Sequence, residues 1–118
     1  MCLLNIIENY RFGKMTINGK SYTSDLIIFR EYIETNWRRK KGHSIHLDDL
    51  KTVFEKEVET LIIGTGKYGL VEVPEGIIKE LRTRDIELII EKSDDAVTKF
   101  NERVKKKAKV AGAFHLNC

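Results

Sequence analysis

A chain of 118 residues that is 42% hydrophobic and 33% charged carries enough apolar side chains for one core and too few for two, so a single domain over 1–118 is expected. One proline, no low-complexity tract and a net charge of +3 with the basic residues interspersed among 18 acids exclude a disordered chain and a polycationic tail, and with the latter nucleic acid as the expected partner. No segment approaches the ~20 apolar residues of a membrane helix, MCLLNIIENY turns polar too early for a secretory signal, and Cys2 and Cys118 have neither zinc nor disulfide spacing, which predicts a reducing, cytoplasmic setting with no membrane contact.

In chain order, residues 4–30 read as strands. Asn18-Gly19 is the dipeptide that tight hairpins favour, because both positions need φ > 0, and a buried strand follows at Asp25–Phe29. REYIETNWRRKKGHSIH has weak periodicity and four consecutive basic residues, and reads as a long loop or irregular extended segment. In LDDLKTVFEKE, Leu50, Val53 and Phe54 recur at helical spacing behind Asp48 and Asp49, whose charge suits a helix N-terminus. TLIIG is an apolar β-type run without polar alternation, as expected of a strand buried on both faces.

Pro74 stands where a helix can begin, and Ile77, Ile78 and Leu81 supply the inward stripe of a helix over roughly 74–83. ELII at 87–90 reads as another buried strand. Ser93-Asp94-Asp95 reads as the cap of a third helix with Val97, Phe100 and Val104 inward. VAGAFHL closes as a strand. Strand, helix, strand, helix, strand from residue 60 onward predicts an α/β fold with a mostly parallel sheet covered by helices, the N-terminal hairpin being an antiparallel addition.

Gly64, Gly66 and Gly69 spell G-x-G-x-x-G after the TLIIG strand. A dinucleotide fingerprint needs the third glycine to open a helix, whereas Leu70-Val71-Glu72-Val73 intervenes before Pro74, and the remaining chain is too short for a second mononucleotide-binding half. The motif therefore reads as a turn at the carboxyl end of a strand, a place where open α/β sheets also hold ligands. No cofactor is expected.

Four stretches, YRFGKMTINGKSYTSDLII, NWRRKKGHSIHLDDL, LIIGTGKYG and KFNERVKKKAKVAGAFHLNC, occur in that order over almost the whole chain. Together they resemble the small Mth-type domain family, which includes an adipogenesis-associated protein and a mitochondrial assembly factor for respiratory complex I. The resemblance implies a three-layer fold around a mixed five-stranded sheet with an additional β element, and it implies no established reaction. Matching positions are Phe12-Gly13, Tyr22, Asp25, Trp37-Arg38, His43, Asp49-Leu50, Gly64-Thr65-Gly66, Asn101, and His115 with Cys118. Two departures stand out: His46 where relatives carry a capping serine or threonine, and Asn117 where threonine is usual.

His43, His46, His115 and Cys118 lack the paired close spacing of a zinc site, so no metal is expected. His115 and Cys118, three apart on an extended strand, point to opposite faces and make a poor nucleophile pair. Trp37-Arg38-Arg39-Lys40-Lys41-Gly42-His43 is either a solvated basic loop with its tryptophan on the core or, through Arg38, a receiver of phosphate or carboxylate. Two functional classes follow. One is a non-catalytic binding or assembly module whose partner is a protein or a second copy. The other is an enzyme or binder for a small anionic ligand held by Arg38, His43, His115 and the Gly64, Thr65 and Gly66 turn.

Overall fold

The computed structural model describes residues 4–37 and 44–116. The N-terminal strands β1 (Ile7–Arg11), β2 (Lys14–Ile17) and β3 (Lys20–Tyr22) form an antiparallel sheet in the order β1-β2-β3. Asn18 and Gly19 turn β2 into β3 with φ of +48° and +81°, as the dipeptide predicts. The expected hairpin thus gains a third strand. The pairing of β1 with β2 slips between Ile7 and Asn9, and the extra residue breaks the two-residue alternation that marks a strand.

The main sheet contains β4 (Leu26–Phe29), β5 (Ile33–Glu34), β6 (Thr60–Gly64), β7 (Glu87–Glu91) and β8 (Val110–Phe114), in the order β5-β4-β8-β6-β7. β8, β6 and β7 run parallel, whereas β4 is antiparallel to β8 and β5 to β4. The sheet is therefore mixed. β5 lies inside the stretch that reads as irregular; at two residues it is too short to carry a period.

Because successive strand residues point to opposite faces, each central strand builds two cores. Ile27, Phe29, Leu61, Ile63, Ala111 and Ala113 form one with α1 (Lys51–Glu55) and α2 (Glu75–Thr83). Leu26, Ile28, Ile62, Val110 and Phe114 form the other with α3 (Ser93–Lys105) and the N-terminal sheet. Burying each of the valine, leucine, isoleucine and phenylalanine side chains contributes ~1.5–3 kcal/mol. Asn101 of α3 ties the second layer shut, donating to the Ile7 carbonyl at 2.8 Å and accepting the Ile7 N–H at 2.9 Å.

Three local expectations are corrected. Pro74 is not the first helical residue: its backbone is extended, and its carbonyl accepts the Ile77 N–H at 3.0 Å as the cap of α2. β7 is an edge strand rather than a buried one, with Ile90 exposed; an apolar run does not distinguish edge from centre. On this edge, Arg103 of α3 grips Glu87 in a fork of 2.6 and 3.2 Å and holds its carboxyl below the usual range. Ser93 is the first residue of α3 rather than its cap, which is Lys92.

Before α1, a 3-10 turn spans Leu47–Leu50. The His46 N–H donates to the Asp49 carboxylate at 2.8 Å, so the acid three residues on supplies the reciprocal half of a capping box. The Trp37 indole N–H donates to the Asp49 carbonyl at 2.8 Å, seating the tryptophan in the core beside this turn.

Candidate functional site

β6 and β8 end side by side, with Gly64 in register with Phe114, so the glycine turn and His115 leave the sheet as neighbours. Gly64 is compelled by packing. A Cβ there would lie 2.6 Å from the Phe114 ring and 2.9 Å from Ser93 Oγ. Gly66 has φ of +96°, a conformation that disfavours side chains.

Ser93, fully buried, joins three segments at this point. Its hydroxyl accepts the Gly66 N–H at 3.0 Å and donates to the His115 carbonyl at 3.2 Å, while its own N–H donates to the Gly66 carbonyl at 3.1 Å. The turn thus occupies the start of α3, where a bound phosphate would otherwise sit. The Thr65 N–H is likewise turned inward, donating to the Glu91 carbonyl at 2.9 Å. These amides hold the fold together and do not form an anion cradle.

On the other side, Asp25 precedes β4. One of its carboxylate oxygens accepts the Leu116 N–H at 2.6 Å and the other lies 2.7 Å from His115 Nδ1. Its carbonyl accepts the Trp37 N–H at 2.8 Å. Arg38 is therefore the next residue after an anchored tryptophan, although Arg38 and His43, like Cys118, lie outside the described residues. The structure brings Gly64, Thr65, Gly66 and His115 together.

The surface above this network comes from two turns. The Gly13 N–H donates to the Leu116 carbonyl at 2.8 Å, which fixes the β1–β2 turn beside the end of β8. The Phe12 ring consequently stands 6.4 Å from that of Tyr68 in the glycine loop. Phe12, Tyr68 and Leu70 are 54%, 67% and 60% exposed. Beside them Lys67 pairs with Asp94 at 2.9 Å and lies 6.0 Å from the centre of the Tyr10 ring.

A family profile described as "Protein of unknown function (DUF498/DUF598)" matches residues 7–115. The chain belongs to this family. Its fold is shared by the solved structure called MT938, at 21% identity and a TM-score of 0.81 over 97% of this chain and 99% of the other. It is also similar to the conserved hypothetical protein PH1505 of Pyrococcus horikoshii OT3, at 26% identity and a TM-score of 0.80 over 95% and 98% of the two chains. A Mth938-like domain from Bordetella pertussis matches at 12% identity and a TM-score of 0.67 over 99% and 89%. The Mth-type assignment and the α/β fold thus stand.

In this DUF498/DUF598 domain, sequence reasoning singled out Asp25 without a role and Ser93 only as a helix cap. It gave Tyr10 no part at all. The signal for Ser93 was a buried small polar residue due to meet a glycine turn one strand away, which becomes visible only once strand order is known. Burial raises the pKa of the Tyr10 phenol, the Ser93 hydroxyl pulls it back, and the Asp94 carboxylate adds to the rise.

A raised folded-state pKa means that the unfolded chain ionises first, so Tyr10 contributes stability that is present below pH ~10 and is lost as pH climbs through its folded value. Urea titrations from pH 8 to 11 should therefore show a shallower alkaline loss for Tyr10→Phe than for the parent. Parallel curves would contradict this account of the buried phenol.

Proposed function

We propose that the domain is a non-catalytic binding module of the assembly-factor kind, working in the reducing cytoplasm and docking another protein on Phe12, Tyr68 and Leu70. The observation that carries this reading is the contrast at the carboxyl end of the sheet. The polar groups of the turn are spent on internal bonds, while two aromatic rings and a leucine are held outward by a braced frame. Rigid aromatic side chains lose little entropy on docking and dominate protein contacts.

A cross-linking amino acid placed at Leu70 should capture one protein reproducibly in cells. With that partner purified, Phe12→Ala with Tyr68→Ala should weaken binding by ~10–1000-fold, as expected of hot-spot residues, and leave the circular-dichroism spectrum unchanged. Unchanged affinity would remove the aromatic pair from the interface, and capture of the chain itself would identify the partner as a second copy.

A second reading, an enzyme or binder for a small anion, draws on one observation: Trp37, the residue that precedes Arg38 in the sequence, is bonded to Asp25 beside His115. A thermal-shift hit among phosphorylated or carboxylated metabolites that disappears in Arg38→Ala would favour it.

A further inference from the structure

At the opposite end of the sheet, about 13 Å away along strands of this length, lies a cleft of about 310 Å³ whose lining includes Arg30, Tyr32, Lys56, Val58 and Lys109. Its cations come from three separate segments: the β4–β5 turn, the residue after α1 and the residue before β8. Among the described residues, none of the three has a carboxylate within ion-pair distance. Among the described residues the buried Nε of Arg30 has no hydrogen-bond partner, and an unmet buried donor on a charged group is costly, so the guanidinium has a charge and a donor that these residues do not satisfy.

The cleft is also built rather than loose. Asn5 braces its rim, its side chain donating to the Phe29 carbonyl at 2.8 Å and its N–H to the Arg30 carbonyl at 2.7 Å. The floor is apolar through Phe29, Val58 and Val110, and Lys56 Nζ sits 4.4 Å from the centre of the Tyr32 ring. Among the described residues Glu31 is the one acid in the lining, against three bases.

We propose that this cleft binds a small organic anion, a phosphate or carboxylate carried on an apolar or aromatic body. Arg30 meets the anionic oxygens as a planar donor, Lys56 and Lys109 supply flanking charge, and the body lies on the apolar floor. The volume suits a ligand of mononucleotide size or smaller. The site is independent of the protein-docking surface.

The test is a titration of the full chain followed by amide chemical shifts, with phenyl phosphate and benzoate as probes and phenol and inorganic phosphate as controls. Saturable shifts are expected at the amides of Arg30, Tyr32 and Lys109 with at least one of the two probes. Affinity should fall by roughly tenfold or more in Arg30→Gln, fall also in Lys109→Gln, and stay unchanged in the Phe12→Ala, Tyr68→Ala double variant. Lys109→Gln carries the test if Arg30→Gln fails to fold. Absence of saturable shifts with both probes overturns the proposal, as does binding unaffected by either cation's removal. Phenol binding as well as the probes overturns the anion requirement, and inorganic phosphate doing so overturns the apolar body.

Discussion

Replacing Gly64 with alanine is expected to cost about 3 kcal/mol, at the upper end of what overpacking a core inflicts, and to lower Tm by roughly 12 °C in a domain of this size. The new methyl would have to displace the Phe114 ring, 2.6 Å away, and Ser93 Oγ, 2.9 Å away. Neither can yield freely, since Phe114 is itself wedged against Gly112, where an added Cβ would meet the same ring at 2.6 Å. Gly76→Ala is the internal control. It lies in α2 with no described residue within 4 Å of the added Cβ and should stabilise by ~0.4–1 kcal/mol through the unfolded chain. Urea unfolding with unchanged slope would measure both, and a Gly64→Ala variant within ~0.5 kcal/mol of the parent would dismiss the packing account.

Ser93→Ala should cost about 2–4 kcal/mol. It strands a buried N–H on Gly66 and deprives the His115 carbonyl of its donor, each at ~1–3 kcal/mol, and the better helix propensity of alanine returns only a few tenths. The loss should be local as well as global: amide exchange at Gly66 should accelerate beyond what the fall in overall stability accounts for. Since Ser93 Oγ is one of the two groups that Gly64→Ala would strike, the two changes share a cause. In the double variant the total cost should fall short of the sum, because contacting residues are not additive. Strict additivity would separate the turn from the helix start energetically and contradict the three-way joint described above.

The sequence exposes some of this design and hides the rest for identifiable reasons. β6, α2, α3 and β8 were legible because each is long enough to display a period or a bounded apolar run. β5 was not, being two residues long, and ELIIE misled because its apolar content resembles a central strand while its position at the edge depends on sheet order. In the candidate site, the glycine turn and His115 were legible as separate features. Their joint through Ser93 was not, since it depends on β8 inserting between β4 and β6. Arg30, Lys56 and Lys109 were opaque for the same reason: the order in which strands pair decides which distant cations meet.

The placement of β8 has a consequence for how the protein is made. The last strand in chain order is the middle strand of the main sheet, hydrogen-bonded to β4 on one side and β6 on the other. Until residues 110–114 have emerged from the ribosome, β4 and β6 have no partner between them and the apolar face of each half is uncovered. Such non-local closure is slow and leaves intermediates prone to aggregate. Synthesis that stalls shortly before Val110 would release a chain with most of its hydrophobic residues but with its main sheet split between the β5-β4 and β6-β7 pairs, a species for chaperones and proteases rather than a smaller version of the domain.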